Sequence, residues 1–88
     1  MALGAVRMSQ DYAGGVLIQG SPNVDTNGTP QVRKGDRVQG HGPGVHAGPV
    51  MAEGSSSVFV NGIPACHETH KATCGHPASG SGNVFIGG

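Results

Sequence analysis

The chain has 88 residues, seventeen of them glycine, with one Tyr, two Phe and a formal net charge of zero. This length forms one small domain, and so few large side chains give a thin core that we expect a metal, a disulfide or a partner to supplement. The scattered Lys and Arg form no basic stripe, which argues against nucleic-acid binding, and no apolar run is long enough to span a membrane. The N-terminus shows no signal-peptide pattern, so we expect synthesis in the cytoplasm.

Short strands and glycine turns follow one another along the chain. The apolar start, residues 1–8, is expected to be the first strand. Asn27-Gly28 and Asn61-Gly62 predict two-residue hairpin turns, because such turns need positive φ at both positions. Residues 83–88 read as a final strand. Since no segment has a 3.6-residue apolar period, the sequence predicts an all-β fold.

An internal repeat organises these elements. Residues 20–36 match residues 54–70 at a constant offset of 34, and residues 80–88 are a third, truncated copy. Three similar hairpins predict pseudo-threefold symmetry, with the connections between them meeting near one axis. The matching valines of the three copies are expected to face a shared interior: Val24, Val58 and Val84.

Ligand-capable side chains cluster in the connections, above all in PACHETHKATCGH, residues 64–76. Zinc in a structural site takes four nitrogen or sulfur ligands, and cysteine thiolate with neutral imidazole is the natural set. One Cys66–Cys74 bridge is conceivable, but a reducing cytoplasm and the nearby histidines favour a metal or free thiols. Cys66 takes the place of Val32 in the repeat, which favours a small buried residue.

A metalloprotease interpretation of HETH, residues 67–70, fails on spacing. That motif needs two histidines four residues apart on one helix, whereas His67 and His70 are three apart with no room for a long helix. A catalytic zinc also needs an open coordination position. We therefore expect no enzymatic activity; a zinc hydrolase is the least favoured alternative.

The repeats resemble those of the PAAR-repeat proteins, the tips of contractile injection machines such as the type VI secretion system and phage tails. The resemblance is carried by NGTPQVRKGD (residues 27–36), NGIPACHETH (residues 61–70) and CGHPASGSGNVFIGG (residues 74–88). It implies a small β cone with a structural zinc ion, Zn2+, near its vertex, held typically by three histidines and a cysteine. It also implies a non-enzymatic role in piercing membranes.

The resemblance further implies a partner and a location. The base of the cone is expected to sit on a trimeric β-helical spike (VgrG-like or a phage spike), one tip per trimer, with effector proteins as possible passengers. The tip is expected to be delivered with the injection particle or virion and to pierce the target membrane rather than bind it stably. Longer family members carry toxin domains; we expect residues 1–88 to be a single domain without an effector extension. The alternative is a general zinc-binding interaction module.

The resemblance supports Cys74, His41 and His46 as ligands and leaves the fourth open. The family often has a histidine where this chain has Ala13, and Asp36 of the first full repeat is replaced by His70 in the second. Three residues compete for the fourth place: His67, His70 and His76. We favour His70, since it precedes the final connection and could offset the missing histidine. The predicted metal site is therefore His41, His46, His70 and Cys74.

Overall fold

The computed structural model describes residues 3–87. Its regular elements are eight two-residue strands and one short 3₁₀ turn at Gly44–His46. The strands are β1 Leu3–Gly4, β2 Tyr12–Ala13, β3 Gly15–Val16, β4 Asp25–Thr26, β5 Thr29–Pro30, β6 Phe59–Val60, β7 Ile63–Pro64 and β8 Phe85–Ile86. This confirms the predicted all-β class. No helix within the described residues has the length and apolar character needed to cross a membrane.

Two of the repeats form the expected hairpins. Strand β4 pairs antiparallel with β5, and β6 pairs antiparallel with β7. Each pair is joined by an Asn-Gly turn: φ is 56° at Asn27 and 79° at Gly28, and 56° at Asn61 and 75° at Gly62. Asparagine and glycine tolerate these positive φ values better than other residues, so the turns follow directly from the sequence.

The third hairpin is split between the two ends of the described chain, so that no turn joins its two strands. Strand β8 pairs antiparallel with β1, with Leu3 opposite Ile86 and Gly4 opposite Phe85. The truncated copy at residues 80–88 therefore obtains its second strand from β1, near the start of the chain. The chain closes into a ring of three hairpins, and the seam of that ring lies at the β1–β8 pair.

A cycle of backbone hydrogen bonds lies at the centre of the ring. The amide of Val6 donates to the carbonyl of Cys66 at 3.1 Å, Cys66 donates to Val32 at 3.0 Å, and Val32 donates to Val6 at 3.0 Å. All three side chains are fully buried. The same contact made three times, by three positions equivalent in the repeat, gives the molecule its pseudo-threefold axis.

One polar residue, Gln31, breaks this symmetry among the otherwise apolar side chains next to the axis. Ala5 and Ala65 are equivalent to Gln31, whose buried amide donates to the carbonyls of Val32 and Cys66 at 2.9 and 3.1 Å. Its side-chain oxygen accepts from the Thr26 hydroxyl at 2.6 Å. Two alanines leave room for one larger side chain, and its polar atoms are fully paired, which a buried amide requires.

The interior differs in detail from the expected wall of valines. Val24 is exposed, and Val58 and Val84 are only half-buried. The buried strand positions are two residues further on, at Val60 and Ile86, which pack with Ala5 and Ala65 in one apolar cluster. Side chains alternate between the two faces of a strand, so Val60 and Ile86 lie on the same face as Val58 and Val84. The predicted face is therefore the right one, but the buried residues are those at its more central position.

A larger apolar cluster extends from the central cycle to the connections between the repeats. Besides the three side chains of the cycle, its buried members are Ala13, Leu17, Val38, Met51, Ala72 and Ala78. Cys74, from the last connection, packs against its rim. The cluster therefore supports the segments that carry the histidines.

Candidate metal centre

Four ligand-capable side chains from two connections converge at one point. His41 and His46 belong to the connection after the first full repeat, and Cys74 and His76 belong to the connection after the second. One nitrogen or sulfur atom from each lies within 4.8 Å of all the others. Among residues 3–87 this is the one group of three or more His, Cys, Asp or Glu side chains close enough to share a metal ion.

Tight turns position each pair of side chains. The backbone amide of His41 donates to the carbonyl of His46 at 2.8 Å, which folds the segment through the 3₁₀ turn into a closed loop. In the second connection Gly75 has φ of 90°, and Ala72 donates to the carbonyl of His76 at 3.1 Å. A glycine at this φ lets the chain reverse between Cys74 and His76, so that both side chains face the same point.

Three of the separations within the cluster are close to the edge lengths of a coordination tetrahedron. Nε2 of His41 lies 3.1 Å from Nδ1 of His46 and 3.2 Å from Nδ1 of His76. Sγ of Cys74 lies 3.5 Å from the same nitrogen of His76. Zinc–ligand bond lengths and tetrahedral angles give edges of about 3.3 Å between two nitrogens and about 3.6 Å between nitrogen and sulfur. Three of the six separations thus match those between ligands that share one ion, and the other three lie within 4.8 Å.

Hydrogen bonding alone accounts poorly for this cluster. Each imidazole nitrogen offers one in-plane proton or one lone pair, yet Nε2 of His41 has ring nitrogens of both His46 and His76 within hydrogen-bonding distance. The other nitrogen of His41, Nδ1, lies 3.1 Å from the carbonyl of Gln39, an acceptor that fixes the proton there. Nε2 then presents its lone pair to the cluster, as a metal ligand supported by a backbone carbonyl does.

Strands β2 and β3 pair antiparallel, and Gly14, in the turn between them, closes the cluster on one side. A Cβ built on this glycine would collide with Nε2 of His41 and Nδ1 of His76, and its φ is 87°. The neighbouring Ala13 points into the core, with its carbonyl 3.8 Å from Sγ of Cys74. The imidazoles of His41 and His76 therefore pack against the backbone at Gly14, where only glycine leaves room for them. The donor set fits a metal ion.

His70 lies outside this cluster. Its ring stacks on the ring of His67 with centroids 3.6 Å apart, and its Nδ1 accepts from the backbone amide of His67 at 3.0 Å. The equivalent Asp36 accepts from the amide of Arg33 at 2.8 Å. His70 therefore makes the same local contact as the equivalent aspartate and lies apart from the cluster of His41, His46, Cys74 and His76.

The structure thus brings together three of the four predicted site residues, His41, His46 and Cys74, and places His76 in the fourth position. Whether these side chains bind an ion stays a prediction. The sequence does contain a signal for His76: it is two residues beyond Cys74 with a glycine between. Nothing in the sequence singled out Gly14, since its importance depends on what packs against it.

Cys66 is chemically unlike Cys74. Burial, together with the nearby charges of Asp36 and Glu53, raises the pKa of its thiol to about 12. The protonated sulfur donates to the backbone carbonyl of Glu53 at 3.2 Å. Both cysteines are free thiols. Only Cys74 lies among the histidines, so Cys66 belongs to the core.

Comparison with known families and proteins gives one match. The model of a family described as the PAAR motif matches residues 9–76 and residues 39–88, which together extend from residue 9 to the end of the chain. None of the curated proteins matches the chain.

Proposed function

The chain belongs to the PAAR-motif family, and we propose that it is a zinc-stabilised tip that caps a trimeric β-helical spike, VgrG-like or of a phage. PAAR-motif proteins are spike-tip adaptors that associate with spike proteins of contractile injection systems. The trimeric partner, the metal and the piercing of a membrane are the parts that we propose for this chain.

The observation that carries the proposal is the pseudo-threefold ring. A trimeric spike ends in three equivalent chains, and a single chain can contact all three alike only if it presents three similar surfaces. The cycle of Val6, Val32 and Cys66 holds three hairpins around one axis. This geometry supports a stoichiometry of one tip per trimer.

The metal proposal rests on the donor set. Three imidazoles and one thiolate are the ligands that zinc takes in structural sites, and four protein ligands leave no open position for a reacting water. We propose His41, His46, Cys74 and His76 as these ligands. When bound, zinc would supply folding free energy of roughly 10–16 kcal/mol, as structural zinc does in small domains. A structural ion of this kind favours a non-enzymatic tip over a zinc hydrolase.

The tip would act by its shape. We propose that it is carried on the particle or virion, pierces the target membrane and does not stay bound to it. A narrow tip has no room for a large apolar core, and an ion cross-linking two connections replaces part of that core.

Metal analysis of matched variants tests the site. The purified protein is expected to hold one zinc ion per chain. His76→Ala and Cys74→Ser should each lower the zinc content to well below one ion per chain, while His70→Ala should leave it unchanged. Zinc lost with His70→Ala and retained with His76→Ala would contradict the proposed ligand set.

A binding experiment tests the partner. The zinc-loaded protein is mixed with a trimeric β-helical spike, and the mass of the complex is measured. We expect one chain per trimer. A chain that holds zinc but binds no such spike would contradict the tip proposal and favour the general interaction module.

A further inference from the structure

The turn that closes each repeat is stabilised differently in one of the three copies. In every copy the backbone amide of the first turn residue donates to a side chain further along. Arg7 donates to Asp11 at 2.8 Å, and Arg33 donates to Asp36 at 2.8 Å. Both pairs also form guanidinium–carboxylate ion pairs. The third copy makes the backbone contact with an imidazole instead.

The contact in the third copy requires a neutral His70. Nδ1 of this residue accepts from the amide of His67, so it must carry a lone pair and not a proton. Nδ1 of His67 lies 2.6 Å from the carbonyl of Glu68, which can only accept, so the proton is on that nitrogen. The two rings are stacked 3.6 Å apart, and charges on both rings would repel each other strongly.

Among residues 3–87, the carboxylates nearest to this pair are engaged by backbone amides and compensate only in part for a charge on it. The carboxylate of Glu53, from the preceding connection, accepts from the amide of Lys71, and that of Glu68 accepts from the amide of Gly4. On the adjoining strands of the ring, Arg7 and Arg33 are engaged with their own aspartates. Burial and the neighbouring His67 lower the pKa of His70, and Glu53 opposes this shift only in part.

The same turn holds the seam of the ring. Glu68 donates its amide to the carbonyl of Gly4 at 2.7 Å, and Gly4 donates back to the Glu68 carboxylate at 3.0 Å. On the other side of the turn, the amide of Thr69 donates to the carbonyl of Ala78 at 2.9 Å, and the amide of Ala78 donates to the carbonyl of His70 at 2.8 Å. The turn therefore fixes β1 against the rest of the ring.

The backbone of this turn is strained. Thr69 has φ of 76°, while the equivalent positions are Ser9 with φ of 64° and Gly35 with φ of 90°. A β-branched side chain is sterically disfavoured in this region of backbone conformation, whereas glycine is not. The turn of the third copy thus depends more on its side-chain hydrogen bond than the others do.

We propose that the His67–His70 turn is an acid-sensitive latch, which holds β1 in the ring at neutral pH and releases it when His70 takes up a proton. The proton would occupy the lone pair that now accepts from the amide of His67. The hydrogen bond is lost, and the strained turn opens. The turns of Arg7 and Arg33 have no histidine and stay closed.

The direction of the pH dependence follows from His70. Because its pKa is lower in the folded protein than its ordinary value of about 6.5, the unfolded chain takes up the proton first. The stability that this residue contributes is fully present above that value. This contribution to stability is lost as the pH falls below the ordinary pKa of about 6.5 towards the lower pKa of His70 in the folded state.

Amide exchange on the zinc-loaded chain tests the latch. Between about pH 7.5 and about pH 5.5, we expect the protection of the amides of His67 and Gly4, corrected for intrinsic exchange, to fall by several-fold and by at most about tenfold, the limit that one histidine with an ordinary pKa of about 6.5 sets over this range. The amides of Arg7 and Arg33 should change less than about twofold and serve as internal controls. Zinc content is measured on the same samples, because release of the metal would affect all three turns.

Two variants separate protonation from a general loss of structure. His70→Asn keeps a side-chain acceptor that does not titrate, and H67R combined with H70D restores the pattern of the other copies. Both should abolish the selective fall in protection. The proposal is overturned by unchanged protection of His67 at acid pH, by an equal fall at all three turns, or by a selective fall that persists in His70→Asn.

Discussion

The ring of hairpins and the loops at the metal cluster are stabilised in different ways. In the ring, Ser21, Ser55 and Ser81 each accept two backbone amides through the hydroxyl, and Val6 and Val32 are fully buried. In the loop at Gly44–His46 no residue is buried, and Val45 is 63% exposed. The ring is held by repeated backbone contacts and buried side chains, whereas the loop at residues 41–48 has no buried side chain and depends more on the histidines that converge on one point.

Removing the proposed zinc ion is expected to have the largest effect. Chelation, or Cys74→Ser, should lower the free energy of unfolding by several kcal/mol, since structural zinc contributes roughly 10–16 kcal/mol in small domains. Amides at residues 39–48 should lose protection before those of Val6, Val32 and Cys66. Denaturant titration and amide exchange measure the two effects. An unfolding midpoint that does not change on chelation would contradict the proposed difference between the ring and the loops.

A side chain at Gly14 should come next. Gly14→Ala places a methyl group against His41 and His76, and it should weaken zinc binding by about a hundredfold or more, or about 2.7 kcal/mol. Gly35→Ala is the matched control, because Gly35 has φ of 90° with nothing near its Cβ position. It should cost about 1–2 kcal/mol of stability from backbone strain and leave zinc affinity intact. Competition with a zinc indicator gives both affinities, and equal losses would refute the role of Gly14.

Truncating one valine in each region should give the smallest effects. Val32→Ala removes two buried methyl groups from the central cycle, and it should cost about 2 kcal/mol from lost burial and the cavity left behind. Val45→Ala, in the exposed loop, should change stability by less than about 0.5 kcal/mol. Both are read from chemical denaturation of the zinc-loaded protein. Similar costs at the two sites would show that the loop is packed more like the ring.

The repeat was the most informative feature of the sequence. The offset of 34 residues and the Asn-Gly turns predicted the hairpins β4–β5 and β6–β7, and both are present with the expected positive φ. Turn chemistry acts within four residues, so it can be read without knowledge of the fold. The pairing of β1 with β8 could not be read in this way, because its partners lie at opposite ends of the chain.

The choice of the fourth cluster residue shows the same limit. His70 was favoured because it differs from Asp36 in the repeat, but a changed residue can keep the contact of the one it replaces. Its ring accepts from the amide of His67 as Asp36 accepts from Arg33. His76 reaches the cluster because Gly75 reverses the chain there.

The sequence by itself determined the all-β class, the two Asn-Gly hairpins and the family, because these depend on local turn preferences and on motifs in register. Only the tertiary structure decided which ends close the ring, which histidine joins His41, His46 and Cys74, and why Gly14 has no side chain. Those outcomes depend on contacts between segments distant in sequence, such as the pairing of Leu3 with Ile86 and the close approach of His76 to Gly14. Side-chain type shows what a residue can bind, but the path of the backbone determines which partners it meets.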